Sequence, residues 1–106
     1  MRLLTSDTIE DRAIEKGEIV YACAISGANL LRDVREAVVN TIGGRMTKYE
    51  GLLDKTIGYA LDELSQRAAD LGYDGVLDIR ISHPMITSGA IEVVATGTGF
   101  RYKDRP

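Results

Sequence analysis

The chain has 106 residues with 13 Lys plus Arg against 16 Asp plus Glu, a formal net charge of -3, and a length that sets one small domain with much of its surface outside the core. The two signs are interleaved with no basic run, so the electrostatic footprint of a nucleic-acid binder is missing, and no apolar stretch approaches the ~20 residues that span a bilayer. With one Phe and no Trp, the core has to be built from Leu, Ile, Val and Ala.

In chain order, residues 1–15 are polar with scattered Leu3, Leu4, Ile9 and Ile14, which predicts an extended arm with two short strands, punctuated by Lys16-Gly17. Glu18 to Ile25 is apolar nearly throughout (Ile19, Val20, Tyr21, Ala22, Cys23, Ala24, Ile25) and predicts a strand covered on both faces. Ser26-Gly27-Ala28-Asn29 reads as a turn, with Ser26 or Asn29 as a helix N-cap. A first helix then turns Leu30, Leu31, Val34, Ala37, Val38 and Ile42 inward and ends at Gly43-Gly44.

The strongest periodicity follows. Tyr49, Leu52, Leu53, Ile57, Ala60, Leu61, Leu64, Ala68 and Leu71 recur at three- and four-residue steps, which predicts an amphipathic helix from Tyr49 to Leu71. Its other face, with Asp54, Asp62, Glu63 and Asp70, is expected to see water. Gly72 then allows the left-handed exit. Val76 to Ser82 alternates, with Leu77, Ile79 and Ile81 on one face, and should end near His83 because Pro84 cannot donate to a ladder. Pro84 to Gly89 makes a loop, and Ala90 to Lys103 the last strand, whose Gly97 and Gly99 mark a place where something packs close on the backbone. This order predicts an α+β fold with helices covering one face of a small antiparallel sheet.

Four ordered blocks carry a resemblance: Gly27-Ala28-Asn29-Leu30-Leu31-Arg32-Asp33, then Ile42-Gly43-Gly44-Arg45 with Tyr49-Glu50, then Ala69-Asp70-Leu71-Gly72-Tyr73-Asp74-Gly75-Val76, and Ala95-Thr96-Gly97-Thr98. Together they resemble the YbjQ-like family of small bacterial proteins, labelled heavy-metal-binding without an established biochemical function, as a single domain over residues 1–106. The resemblance implies a dodecin-like βαββ unit with extra short strands, assembled into a cyclic oligomer, a homopentamer. The chain departs from the family pattern at Tyr21-Ala22-Cys23-Ala24-Ile25, where a Gly-Glu pair is usual, at Asp78, where a small residue is usual, and at Met46, where serine is common.

Soft metal ligands work in clusters at short spacings, and this chain has one Cys and one His. Cys23 reads as a small buried strand residue and His83 as an exposed turn residue. A cyclic oligomer would still turn each into a ring of ligands, so Cys23 and His83 stand as the metal candidates, with metal not required for folding. Gly43-Gly44-Arg45 followed by Glu50 is the candidate ligand site: glycines expose backbone N–H groups, a helix N-terminus favours negative charge, and Arg45 can grip a phosphate or carboxylate. The competing reading is a helix-to-helix turn in which Arg45 pairs with a carboxylate such as Glu50 or with a neighbouring subunit. One Cys and one His assemble no catalytic constellation, so an enzyme ranks below a binding or assembly module.

The apolar run at residues 1–7 is too short for a signal peptide, and a single Cys agrees with a reducing compartment. The expectation is therefore a cytoplasmic, homo-oligomeric ring that binds a small anionic ligand or a metal ion at or between subunits, with no nucleic-acid or membrane partner. A structural or protein-interaction ring without a small-molecule site is the alternative, and an unrecognised enzyme the third reading. The last strand and the N-terminal arm are expected to pair or pack across subunits, closing edges that a monomer would leave open.

Overall fold

The computed structural model describes residues 1–26, 44–84 and 90–104 and, within its helix, the side chains from Glu50 onward. The predicted first helix lies outside the described residues, as does the Pro84–Gly89 loop beyond Pro84. The elements are β1 (Arg2–Leu3), β2 (Ile14–Ser26), α1 (Gly44–Asp70), β3 (Gly75–Ser82) and β4 (Ile91–Tyr102). The strands form one sheet in the order β1-β3-β4-β2. β4 pairs antiparallel with β2, from Ile14↔Tyr102 to Ser26↔Ile91, and with β3, from Gly75↔Phe100 to Ser82↔Val94. β1 pairs parallel with β3, Arg2 opposite Gly75. The sheet is thus mixed, where the sequence predicts an antiparallel one. A two-residue strand carries no periodicity from which to read its direction.

α1 covers one face of this sheet. Ala60, Leu64 and Ala68 are fully buried against Val20, Ala22, Val76, Ile79, Ile91, Val93 and Ala95, with Leu52, Leu53, Ile57 and Leu61 packed beside them. The alanines of the stripe let the helix approach the strands closely. Leu71, the last predicted member of that stripe, is instead exposed. The helix has already ended at Asp70, and Leu71 sits in the turn that stops it. That turn closes by Gly72 N–H donating to Ala69 O at 3.0 Å and Tyr73 N–H donating to Ala68 O at 2.9 Å, with Gly72 at φ 81. These two bonds with a left-handed glycine between them make a Schellman stop. Arg101 finishes it, donating from Nε to Gly72 O and from Nη2 to Leu71 O at 3.1 and 3.0 Å.

Tyr73 leaves this turn and lies flat on the sheet. A Cβ on Gly99 would stand 2.4 Å from its Cδ2, and one on Gly17 would stand 2.4 Å from its Cε1. Its hydroxyl accepts the Glu18 N–H at 2.8 Å, and the Arg101 guanidinium lies 4.4 Å from its ring centroid. Gly97 makes the same kind of room for Val76 and Ile79. The close approach predicted at both glycines is therefore present.

β3 breaks its predicted alternation. Its register against β4 slips between Leu77 and Arg80, and Asp78 takes a positive φ of 52. This bulge brings Val76 and Ile79, three residues apart, into the same helix-side core. Leu77 pairs with Thr98 and so shares the opposite face with Phe100, where both are fully buried. The arm after β1 runs beside β3: Leu4 N–H donates to Val76 O, Ile79 N–H to Leu4 O and Asp78 N–H to Ser6 O. Helix and sheet are also joined by a buried polar contact, in which Thr56 bonds both Leu52 O and the Ser26 hydroxyl.

Candidate functional site

The residues nominated from the sequence are described in part. Gly43 lies outside the described residues, Gly44 opens α1, and Arg45 follows in its first turn with a side chain outside the description. Glu50 is exposed on the same helix. His83 is exposed just past the end of β3, as expected. Cys23 is exposed too, which corrects the buried reading. It sits opposite Val94, and Ser82, the neighbour of His83, sits opposite Val94 from the other side. One strand of the sheet therefore separates the two soft ligands. Among the described residues, no group of three or more His, Cys, Asp or Glu is placed to hold a metal ion.

What the fold does gather is an apolar row on β2. Alternation sends Val20 and Ala22 under α1 and sends Ile19, Tyr21, Cys23 and Ile25 to the face that α1 does not cover. Ile19 is 67% exposed, Tyr21 59% and Ile25 66%. The prediction of a strand covered on both faces is thus overturned: the apolar run is continuous, but only half of it enters the core of the protomer. Among the described residues β2 is also an edge strand, with β4 on one side only.

Arg67 of α1 reaches around that open edge. Its Nη1 donates to Tyr21 O at 3.0 Å, its Nε holds Glu63 at 3.1 Å, and its guanidinium carbon lies 5.5 Å from the Tyr21 ring centroid. Beside it Ile19, Val20, Tyr21, Asp70 and Leu71 line a groove of about 300 Å³. The groove brings Leu71, displaced from the helix stripe, next to the exposed members of β2. Sequence reasoning missed this juxtaposition, and its only local signal is an apolar run too continuous for a strand with one wet face.

The other end of the sheet is tied by charge. Arg2 holds Asp11 at 3.1 Å, Arg12 holds Asp104 at 2.7 Å, and the Arg12 guanidinium lies 3.4 Å from the Tyr102 ring centroid. The hydrogen bond from Arg2 keeps the Asp11 carboxyl below its ordinary range, and that from Arg12 does the same for Asp104. Both pairs are solvent-exposed clasps between the arm, the start of β2 and the chain end. Asp78 and Arg80 form an ion pair at 2.9 Å.

No helix among the described residues is long and apolar enough to cross a membrane. The mixed sheet under one helix is similar to a crystal structure of a protein of unknown function of the DUF74 family from Pediococcus pentosaceus, with a TM-score of 0.67 over 97% of this chain and 98% of that one, at 14% identity. That likeness concerns the fold alone. In sequence, the chain is 38% identical to a UPF0145 protein of Synechococcus sp. (strain JA-3-3Ab), over 97% of this chain and 100% of the relative. It is 34% identical to a UPF0145 protein of Geobacillus kaustophilus (strain HTA426), over 97% and 99%. The family model described as "putative heavy-metal-binding" matches residues 1–103. With the family model matched over nearly the whole chain and relatives above 30% identity along their full length, the protein belongs to the YbjQ-like, UPF0145 family.

Proposed function

We propose that this protein is an assembly module: a dodecin-like βαββ unit that closes into a homo-oligomeric ring, a pentamer on the family resemblance, and takes a small anionic ligand or a metal ion at or between subunits. The observation that supports it is the uncovered row Ile19, Tyr21 and Ile25 on an open edge strand. Burying such a side chain fully is worth about 1.5–3 kcal/mol, so covering three that are largely exposed recovers several kcal/mol per protomer. A long open edge is itself a template for pairing.

β4 lies inside the sheet with β3 and β2 on its two sides, so its contribution to a ring would come mainly through packing. Among the described residues the edges are β1 and β2, and a ring that closes them would bring the β2 edge of one protomer to the N-terminal arm of the next. Native mass spectrometry with light scattering tests this directly. The wild type should run as one closed oligomer, and Ile19→Lys with Ile25→Lys should reduce it to monomer. A wild type that is monomeric at every concentration overturns the reading.

The ligand half of the proposal rests on Gly43-Gly44-Arg45 with Glu50, and the metal half on symmetry copies of Cys23 and His83. Phosphate titrated at constant ionic strength should raise the unfolding temperature of the wild type and not that of Arg45→Ala, because a ligand of the folded state stabilises it by mass action. The same response in both proteins removes Arg45 from the site.

A further inference from the structure

A second cavity, of about 250 Å³, lies on the face of the sheet away from α1 and is lined by Asp7, Lys16, Leu77, Asp78 and Thr98. Four segments meet there: the arm, the start of β2, the β3 bulge and the middle of β4. Asp78 reaches it through the left-handed backbone at φ 52, held by its N–H donating to Ser6 O at 2.8 Å. Aspartate is among the few non-glycine residues that tolerate this conformation.

The charges around the cavity are only partly matched. The Asp78 carboxylate is held by Arg80 at 2.9 Å. Asp7 and Lys16, of opposite sign, line the same space, yet among the described residues neither has an ion pair or a side-chain hydrogen bond. With Asp78 matched by Arg80, one carboxylate and one ammonium remain, so neither a simple anion nor a simple cation meets both. A molecule with both charges does, with its ammonium toward Asp7 and its carboxylate toward Lys16. Thr98 adds a hydroxyl that can donate or accept, and the buried Leu77 offers an apolar floor for a short alkyl group. The volume is below that of drug-sized pockets, which run about 300–1,000 Å³.

We infer that this cavity is a binding site for a small zwitterion of the α-amino-acid class. It shares no residue with the Gly43-Gly44-Arg45 turn, and all of its lining comes from one protomer.

Backbone-amide NMR on the whole protein tests it, with alanine as the probe and acetate and methylammonium as single-charge controls at constant ionic strength. Alanine should give saturable shifts at Leu77, Asp78 and Thr98, at least tenfold tighter than either control. Lys16→Met and Asp7→Asn change exposed side chains and should each weaken alanine binding at least tenfold with unchanged circular dichroism. Absence of saturable shifts at millimolar alanine overturns the inference, as does equal binding by alanine and acetate, or affinity unchanged in both variants.

Discussion

Replacing Gly99 by alanine should be among the most damaging single-methyl additions in this protein. The new Cβ would stand 2.4, 2.5 and 2.6 Å from Cδ2, Cε2 and Cγ of Tyr73. Carbon atoms rest about 3.5–4.0 Å apart, so the ring has to retreat by roughly 1 Å or more. It has little freedom to do so, because its other edge already lies against Gly17. A retreat also stretches the 2.8 Å hydrogen bond from the Glu18 N–H to the Tyr73 hydroxyl. Overpacking costs about 1–3 kcal/mol and the lost hydrogen bond about 1 kcal/mol, for a combined loss of about 2–4 kcal/mol. Urea unfolding at fixed protein concentration measures it, as a lower midpoint with an unchanged slope. The decisive control is the same substitution in a Tyr73→Ala background, where the obstructing ring is gone and Gly99→Ala should cost little. A loss below about 0.5 kcal/mol in the wild type would refute the packing argument, as would an equal loss in both backgrounds.

Asp11 and Asp104 should titrate below the ordinary aspartate value of 3.8 because each accepts a hydrogen bond from an arginine, Arg2 and Arg12 respectively. A depressed carboxyl stabilises the fold above its unfolded value and loses that contribution as pH falls through the folded one. The stability difference between the wild type and Asp11→Asn with Asp104→Asn should therefore shrink below about pH 4, and carboxyl NMR midpoints at or above 3.8 would contradict it. Chelator should leave the thermal midpoint unchanged, since a structural zinc site needs about four ligands and each chain offers one Cys and one His. A large drop would reveal a structural ion shared between copies.

The elements that depend on local pattern were legible in the chain. The stripe from Leu52 to Ala68 determined that a helix forms and which face it buries, because a 3.6-residue period is a property of the segment itself. Gly72 determined the stop, and Gly97 and Gly99 announced that something presses on β4, because only a missing Cβ admits such an approach. What presses there was not legible. That Tyr73 fills the space follows from the Schellman turn and the β4 pairing together, which are non-local.

Tertiary structure decided the rest. An apolar run from Ile19 to Ile25 determined a strand, but pattern alone could not tell a strand buried twice from one that leaves Ile19, Tyr21 and Ile25 in the open at a sheet edge. Cys23 was misjudged with them, since exposure depends on what covers a face and not on the neighbours in sequence. The bulge at Asp78 overturned the simple alternation of β3, because its left-handed backbone is held by Ser6 in the arm, 72 positions earlier in the numbering. The cavity of Asp7, Lys16, Asp78 and Thr98 has no signature along the chain for the same reason: its walls come from segments that only the sheet order brings together.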